Sequence, residues 1–166
     1  MRKLTYRVLF LCTANSARSV IAESLLNYSG DNRFVGYSAG SHPRGEVNPY
    51  ALELLMSRGH DIKNLRSKSW EEFEETGAPV MDFVFTVCDS AASEVCPVWL
   101  GGPVTAHWSL ADPATAGETE TERRKAFEIT YELLKERIEA FKALSLDSLD
   151  GESLRTELDK IGRGEF

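Results

Sequence analysis

The sequence has few cysteines, few histidines and no long apolar run, and each shortage excludes a class of protein. Only three of its 166 residues are cysteine, and only three are histidine. These residues show neither the C-x2-C nor the H-x3-H spacing of a zinc site, so we predict no bound metal. No apolar run approaches the roughly 20 residues that cross a membrane, so we predict no membrane partner.

Positive charge is also scarce. The 26 acidic residues outnumber the 19 basic ones, and the net charge of −7 argues against a nucleic-acid partner. Residues 1–3 precede only a short apolar run that ends in a polar loop, so we predict no signal peptide and a cytoplasmic location. In that reducing compartment we expect the cysteines to be reactive, metal-binding or inert rather than joined in structural disulfides.

What the sequence does contain is a cysteine placed between a strand and a helix. The apolar residues 8–11 predict a buried parallel strand, and a helical pattern follows from about residue 20. The turn between them offers backbone N–H groups and a helix N-terminus to an anion, and Arg18 adds a planar fork suited to tetrahedral oxyanions. This oxyanion loop consists of Cys12, Thr13, Ala14, Asn15, Ser16, Ala17, Arg18 and Ser19. The positive electrostatic potential of these N–H groups and of Arg18 favours a thiolate. We therefore expect Cys12 to have a low pKa and to attack phosphate or a phosphate mimic.

Strands and helices alternate along the chain. Predicted strands cover residues 8–11, 34–38, 83–87 and 104–108, and predicted helices begin near residues 20, 48 and 118. This order predicts a single-domain α/β fold, a three-layer sandwich of a four-stranded parallel sheet with helices on both faces. We assign residues 1–144 to this domain and residues 145–166 to a C-terminal tail, either a short docking helix or a partly ordered segment. Ligands bind beyond the carboxyl ends of such strands, so Cys12, Cys88 and Asp112 should share one edge of the sheet.

The oxyanion loop and several later segments resemble the low-molecular-weight protein tyrosine phosphatase superfamily, and within it the cysteine-based arsenate reductases. The resemblance covers residues 8–144, most of the chain. It is carried by Cys12–Ser19, Ser38-Ala39-Gly40, His42-Pro43-Arg44-Gly45, Cys88, Cys96 and Asp112-Pro113. It implies that Cys12 is the nucleophile, that Arg18 binds the oxyanion and that Asp112 is the general acid. It also implies that Asn15 holds the turn of the loop and that the Ser19 hydroxyl supports the thiolate.

Two features favour the arsenate reductase branch. The four residues directly after Pro113, Ala114-Thr115-Ala116-Gly117, include no aromatic residue to wall a phosphotyrosine ring. Cys88 and Cys96 resemble the redox pair of the reductases. Two thiols can supply the two electrons of a reduction by becoming a disulfide. The resemblance therefore implies arsenate reduction for arsenic detoxification, with phosphate or sulfate as substrate mimics. A relay would run from Cys12 through Cys88 to Cys96 and be reset by a thioredoxin-type protein, with no bound cofactor.

Other interpretations remain open at this point. The same residues fit a protein tyrosine or small-molecule phosphatase that uses Cys12, Arg18 and Asp112 alone, and they fit a reductase with residual phosphatase activity. They also fit a regulatory module that binds an oxyanion without turnover, with Cys88 and Cys96 as ordinary core residues.

A potassium ion is a further property that the resemblance brings for some members. Asn15, Glu23 and Ser38 could match its site beside the loop. Lys68 lies near the position where an acidic ligand is expected, and we therefore do not predict the ion.

Overall fold

A four-stranded parallel sheet forms the centre of the fold. The computed structural model describes residues 5–89, 91, 99 and 101–166. Within these residues the strands lie in the order β2-β1-β3-β4, each parallel to its neighbour. They are β1 (Tyr6–Leu11), β2 (Phe34–Ala39), β3 (Phe83–Thr86) and β4 (Val104–His107). The predicted α/β fold with one four-stranded parallel sheet is confirmed.

Four α-helices accompany the sheet in the described part of the chain. They are α1 (Arg18–Tyr28), α2 (Pro49–Ser57), α3 (Glu120–Lys142) and α4 (Gly151–Gly162). As the sequence predicts, α2 begins with Pro49 in its first turn, and the Asn48 side chain accepts a hydrogen bond from the backbone N–H of Tyr50. Among the described residues, no helix is long and apolar enough to span a membrane.

Side chains alternate between the two faces of the sheet. In β1, Val8 and Phe10 join the larger apolar core, which also contains buried residues of all four helices. Leu9 and Leu11 join a smaller core on the opposite face, which is covered by the 3-10 helix Trp70–Phe73 and by Trp99. Helical segments therefore cover both faces, which explains why residues 8–11 of β1 and residues 83–85 of β3 are continuously apolar rather than alternating.

The end of β4 is held by an aromatic cluster and by α4. Trp108 is fully buried and stacks on Phe85 with ring centroids 4.5 Å apart. Its indole N–H donates a hydrogen bond to the Leu158 carbonyl at 3.1 Å. A Cβ added at Gly162 would lie 2.5 Å from the His107 carbonyl oxygen, so α4 approaches the strand more closely than any other residue type would permit. Residues 145–166 thus contain a helix docked on β4.

We expect Trp108→Ala to lower the free energy of unfolding by about 3–5 kcal/mol, because it leaves a cavity in the aromatic cluster and removes the hydrogen bond from the indole to the Leu158 carbonyl. Urea unfolding monitored by circular dichroism would measure the change. Met56→Ala is the matched control: Met56 is 62% exposed on α2, so its loss should change stability by less than about 0.5 kcal/mol. Equal effects of the two substitutions would contradict the assigned packing.

Candidate active site

The oxyanion loop connects the carboxyl end of β1 to the first turn of α1. Asn15 has a φ of 46° and is the one non-glycine residue with positive φ in the described part of the chain. Its side chain is fully buried, donating to the Ser19 hydroxyl at 2.8 Å and accepting from the Lys68 backbone N–H at 2.8 Å. This amide fixes the turn from inside the loop. Because Ser19 accepts from Asn15, its own hydroxyl hydrogen can be directed to another acceptor.

The carbonyl oxygens of the oxyanion loop bond to residues outside it. Thr13 accepts from the His42 N–H at 2.9 Å, Ala14 from the Arg44 N–H at 2.9 Å, and Ser16 from the Asn48 N–H at 2.8 Å. The C=O and N–H of a trans peptide point in opposite directions, so the N–H groups that follow these carbonyls point to the other side. Successive N–H groups arranged in this way form a concave site for an anion.

Gly40 packs directly against this loop. A Cβ at this position would lie 2.4 Å from the Thr13 carbonyl oxygen and 2.5 Å from that of Cys12. No side chain fits between β2 and the loop, which explains the glycine in the Ser38-Ala39-Gly40 segment.

The Arg18 guanidinium contacts Leu110 and Asp112, and one of its N–H groups has no partner among the described residues. Its Nη1 donates to the Leu110 carbonyl at 2.9 Å, and its Nη2 lies 3.6 Å from Oδ2 of Asp112. Its Nε is buried and has no hydrogen-bond partner among the residues that the structure describes. A buried N–H without an acceptor costs free energy, and an oxyanion in the loop would supply that acceptor.

Asp112 stands at the rim of the loop, as its place after the fourth strand predicts. Its Oδ1 accepts from the Ala114 N–H at 2.9 Å, which caps the 3-10 helix Pro113–Thr115. The other carboxylate oxygen faces Arg18. The carboxyl group is therefore oriented by its own turn and lies beside the guanidinium rather than away from it.

Cys12 and Cys88 meet at the edge where β1 and β3 end. Both are buried and reduced. The Cys88 sulfur accepts from the Thr13 N–H and from the Ala91 N–H, each at 3.4 Å, and it lies 3.8 Å from the Thr13 hydroxyl. Cys88 is thus in contact with the oxyanion loop, although 75 residues separate it from Thr13. Cys96 lies outside the described residues, as does most of the segment that joins the two cysteines.

The charge of the thiol pair differs from the sequence-based expectation. A hydrogen bond from the Cys12 thiol, followed by those from the Ala91 and Thr13 N–H groups, lowers the pKa of Cys88 to about 5. The same hydrogen bond to Cys88, together with burial, raises the pKa of Cys12 despite the nearby Arg18. The expectation of a low pKa therefore does not apply to Cys12 alone, because the two thiols titrate as a coupled pair. The N–H groups and Arg18 favour one thiolate in this pair.

A buried ion pair lies next to the loop. The Lys68 ammonium is 3.6 Å from Oε1 of Glu23 and donates to the Arg66 carbonyl at 2.9 Å, and the Ser38 hydroxyl also donates to Glu23. Burial raises the pKa of Glu23 and lowers that of Lys68, while their mutual attraction opposes both changes. The carboxylate that the sequence resemblance associates with potassium is thus paired with an ammonium group of the chain.

Comparison with known proteins places this site in a family. The family model described as "Low molecular weight phosphotyrosine protein phosphatase" matches residues 7–157. The chain belongs to this family. The sequence is 36% identical over 135 residues to an arsenate reductase of Halalkalibacterium halodurans, covering 81% of this chain and 93% of the relative. The family assignment made from the loop residues is confirmed.

Solved structures of the family support the same grouping. A Corynebacterium glutamicum thioredoxin-dependent arsenate reductase superposes with a TM-score of 0.60 at 26% identity, covering 89% of this chain and 66% of that longer chain. An arsenate reductase in the phosphate-binding state superposes with a TM-score of 0.66 at 26% identity, covering 81% of this chain and 95% of that chain.

Two contacts of this family site carry no signal in the sequence. The carbonyl that positions Arg18 belongs to Leu110, and any residue supplies a backbone carbonyl. The contact between Thr13 and Cys88 depends on the order of the strands, which the spacing of the two residues does not encode.

We expect Arg18→Lys to reduce hydrolysis of p-nitrophenyl phosphate by about 100-fold or more, because an ammonium cannot replace the oriented Nε and Nη2 donors. Steady-state kinetics would measure the loss, and inorganic phosphate should no longer protect Cys12 from alkylation. Arg58→Lys, an exchange in an exposed ion pair with Glu132, is the control. Activity within a few-fold of the parent would rule out the assigned role of Arg18.

We also expect each sulfur of the pair to control the ionisation of the other. In a Cys96→Ser background, thiolate absorbance should show a first ionisation near pH 5, because Cys88 accepts the hydrogen bond from Cys12. Adding Cys12→Ala should raise the pKa of Cys88, and adding Cys88→Ala should lower that of Cys12, since the largest cause of each shift is removed. Persistence of the low ionisation in the Cys88→Ala protein would assign it to Cys12 instead.

Proposed function

We propose that this chain is an arsenate reductase that converts arsenate to arsenite with its own thiols. The single observation that carries the proposal is the contact of the Cys88 sulfur with two residues of the oxyanion loop, the thiol of Cys12 and the N–H of Thr13. Phosphate ester hydrolysis needs one thiol, whereas a two-electron reduction needs a second one. The curated and structural relatives named arsenate reductases support this choice.

The first step forms a bond between sulfur and arsenic. Arsenate accepts hydrogen bonds from the loop N–H groups and from Nε of Arg18, which has no partner among the described residues. The Cys12 thiol passes its proton to the Cys88 thiolate along their hydrogen bond, and the resulting Cys12 thiolate attacks arsenic. The Asp112 carboxyl group gives a proton to a hydroxyl group of the arsenate, and the bond between arsenic and that oxygen breaks as water departs.

The second step transfers the electrons. Cys88 gives its proton to an oxygen of the arsenic group, aided by the N–H groups of Thr13 and Ala91 that stabilise its thiolate, and attacks the Cys12 sulfur. The sulfur–sulfur bond forms while the sulfur–arsenic bond breaks. The electron pair of the broken bond stays on arsenic, which leaves as arsenite in the +3 state.

The remaining steps restore the enzyme. The Cys96 thiolate attacks Cys88, which frees Cys12 and leaves a Cys88–Cys96 disulfide. A thioredoxin-type dithiol then reduces that disulfide and becomes oxidised itself. The structural relative from Corynebacterium glutamicum is a thioredoxin-dependent arsenate reductase, which supports this class of reductant. The cytoplasmic location predicted from the sequence would supply it.

Phosphatase activity is the second candidate, and the same geometry favours it. Cys12, Arg18 and Asp112 suffice for attack on a phosphate ester, and the family is named for phosphotyrosine phosphatases. A regulatory module without turnover is less well supported, because the Asp112 carboxylate faces Arg18 at 3.6 Å instead of pointing away from the loop.

Two serine variants separate these functions. Cys88→Ser should retain aryl phosphate hydrolysis but produce only background arsenite, because nothing attacks the arsenic-bound Cys12. Cys96→Ser should release about one arsenite per chain and then stop as a Cys12–Cys88 disulfide. Arsenite release with a thioredoxin system, followed by peptide mapping of the joined cysteines by mass spectrometry, measures both.

The parent protein is the control for both variants. Multiple-turnover arsenate reduction by Cys88→Ser would contradict the relay and assign reduction to Cys12 with an external thiol. Aryl phosphate hydrolysis by a parent that makes no arsenite would establish the phosphatase instead.

A further inference from the structure

The imidazole of His107 connects the residues on both sides of Cys88. Its Nδ1 lies 2.7 Å from the hydroxyl of Thr86, the last residue of β3, and its Nε2 lies 2.9 Å from Oδ1 of Asp89. The Ser109 hydroxyl donates to the same Asp89 oxygen at 2.9 Å. We call this set of Thr86, His107, Asp89 and Ser109 the His107 bridge.

The partners of the ring fix its hydrogen positions. An ionised Asp89 carboxylate only accepts, so Nε2 of His107 carries a hydrogen and donates it. In the neutral ring Nδ1 then accepts from the Thr86 hydroxyl. Hydrogen bonds from His107 and then Ser109 hold the pKa of Asp89 below its usual value, which keeps this acceptor charged at neutral pH.

The His107 bridge contributes little to global stability. The Asp89 side chain is 81% exposed and that of His107 is 35% exposed, and ion pairs this open to water are weak. Its position is what distinguishes it from the other exposed pairs. It joins the side chains of Thr86 and Asp89, and it therefore restrains the backbone on both sides of Cys88.

His107 itself is firmly placed. His107 is the last residue of β4, and Gly162 of α4 packs against its carbonyl. The backbone N–H of the next residue, Trp108, donates to the Thr86 carbonyl at 2.7 Å. The ring therefore works from a rigid part of the fold. Asp89 directly follows Cys88 in the sequence.

We propose that His107 is a positioning residue for the thiol–disulfide step: through Asp89 it holds the Cys88 sulfur within reach of Cys12. The proposal rests on the proposed arsenate reductase function. His107 touches neither the oxyanion loop nor the two sulfurs in the described contacts, so it does not act on the substrate. An attacking sulfur that is misplaced by about 1 Å can lose up to 100-fold in rate, which is why a weak exposed contact can matter here.

We expect His107→Ala to lower kcat for arsenite release by about ten-fold or more while KM for arsenate stays within about two-fold, because binding does not use Cys88. Hydrolysis of p-nitrophenyl phosphate should also stay within about two-fold of the parent. His107→Gln, whose amide can still donate to Asp89, should recover part of the lost rate. Equal losses in both activities, with a lower midpoint of urea unfolding, would indicate a merely structural role and overturn the proposal.

Arg124→Ala is the matched control. It breaks another exposed ion pair, that of Arg124 with Glu53 at 3.1 Å, which connects α3 to α2 instead of holding Cys88. It should leave arsenite release unchanged. A loss in this variant as large as that in His107→Ala would overturn the specific role of His107.

A second measurement separates failure of this proposal from failure of the proposed function. In a Cys96→Ser background, the azo oxidant diamide accepts two electrons and two protons from Cys12 and Cys88, giving their disulfide and a hydrazine. His107→Ala should slow this disulfide formation by about ten-fold, whatever the natural substrate is. An unchanged rate overturns the positioning role. A slower rate in a protein that makes no arsenite supports it and refutes only the arsenate substrate.

Discussion

The contact between the sulfurs of Cys12 and Cys88 is the interaction on which the site depends, and the sheet determines it. β1 and β3 are neighbours, with Leu11 paired to Thr86, so the chain leaves both strands at the same height. Cys12 follows the first strand directly, and Cys88 follows the second by one further residue. The two thiols share a hydrogen bond, so one sulfur can donate a proton and the other can accept it. A proton can therefore pass between the two sulfurs without exchange with solvent.

The anion site works against the charge of the whole molecule. A net charge of −7 repels arsenate or phosphate at long range, and salt screens that repulsion. Attraction must come from groups close to the ligand: the loop N–H groups and Arg18. The Lys68–Glu23 pair behind the loop is nearly neutral as a unit, so it adds order to the loop through the Lys68 N–H and Asn15 rather than a large field.

The sequence predicts the parts of this site that are local. A strand, a turn of small residues and a helix identify the oxyanion loop. The alternation of strands and helices predicts that Arg18 and Asp112 lie at one edge of the sheet, and Nη2 of Arg18 is 3.6 Å from Oδ2 of Asp112. The coupled ionisation of Cys12 and Cys88 has no signal in the sequence, because the two residues are 76 positions apart and no local pattern encodes their contact. The His107 bridge and the Leu110 carbonyl escape prediction for the same reason. Each is a common group that becomes informative only through its tertiary neighbours.

The docking of α4 on β4 also has a consequence for biosynthesis. The oxyanion loop precedes α4 in the chain and leaves the ribosome before it, but the indole of Trp108 and the backbone of His107 meet their partners in α4 only when Leu158 and Gly162 have emerged. Until then the Trp108 indole at the edge of the sheet lacks the cover of α4. The nascent protein is therefore open to aggregation at this edge until α4 has been made.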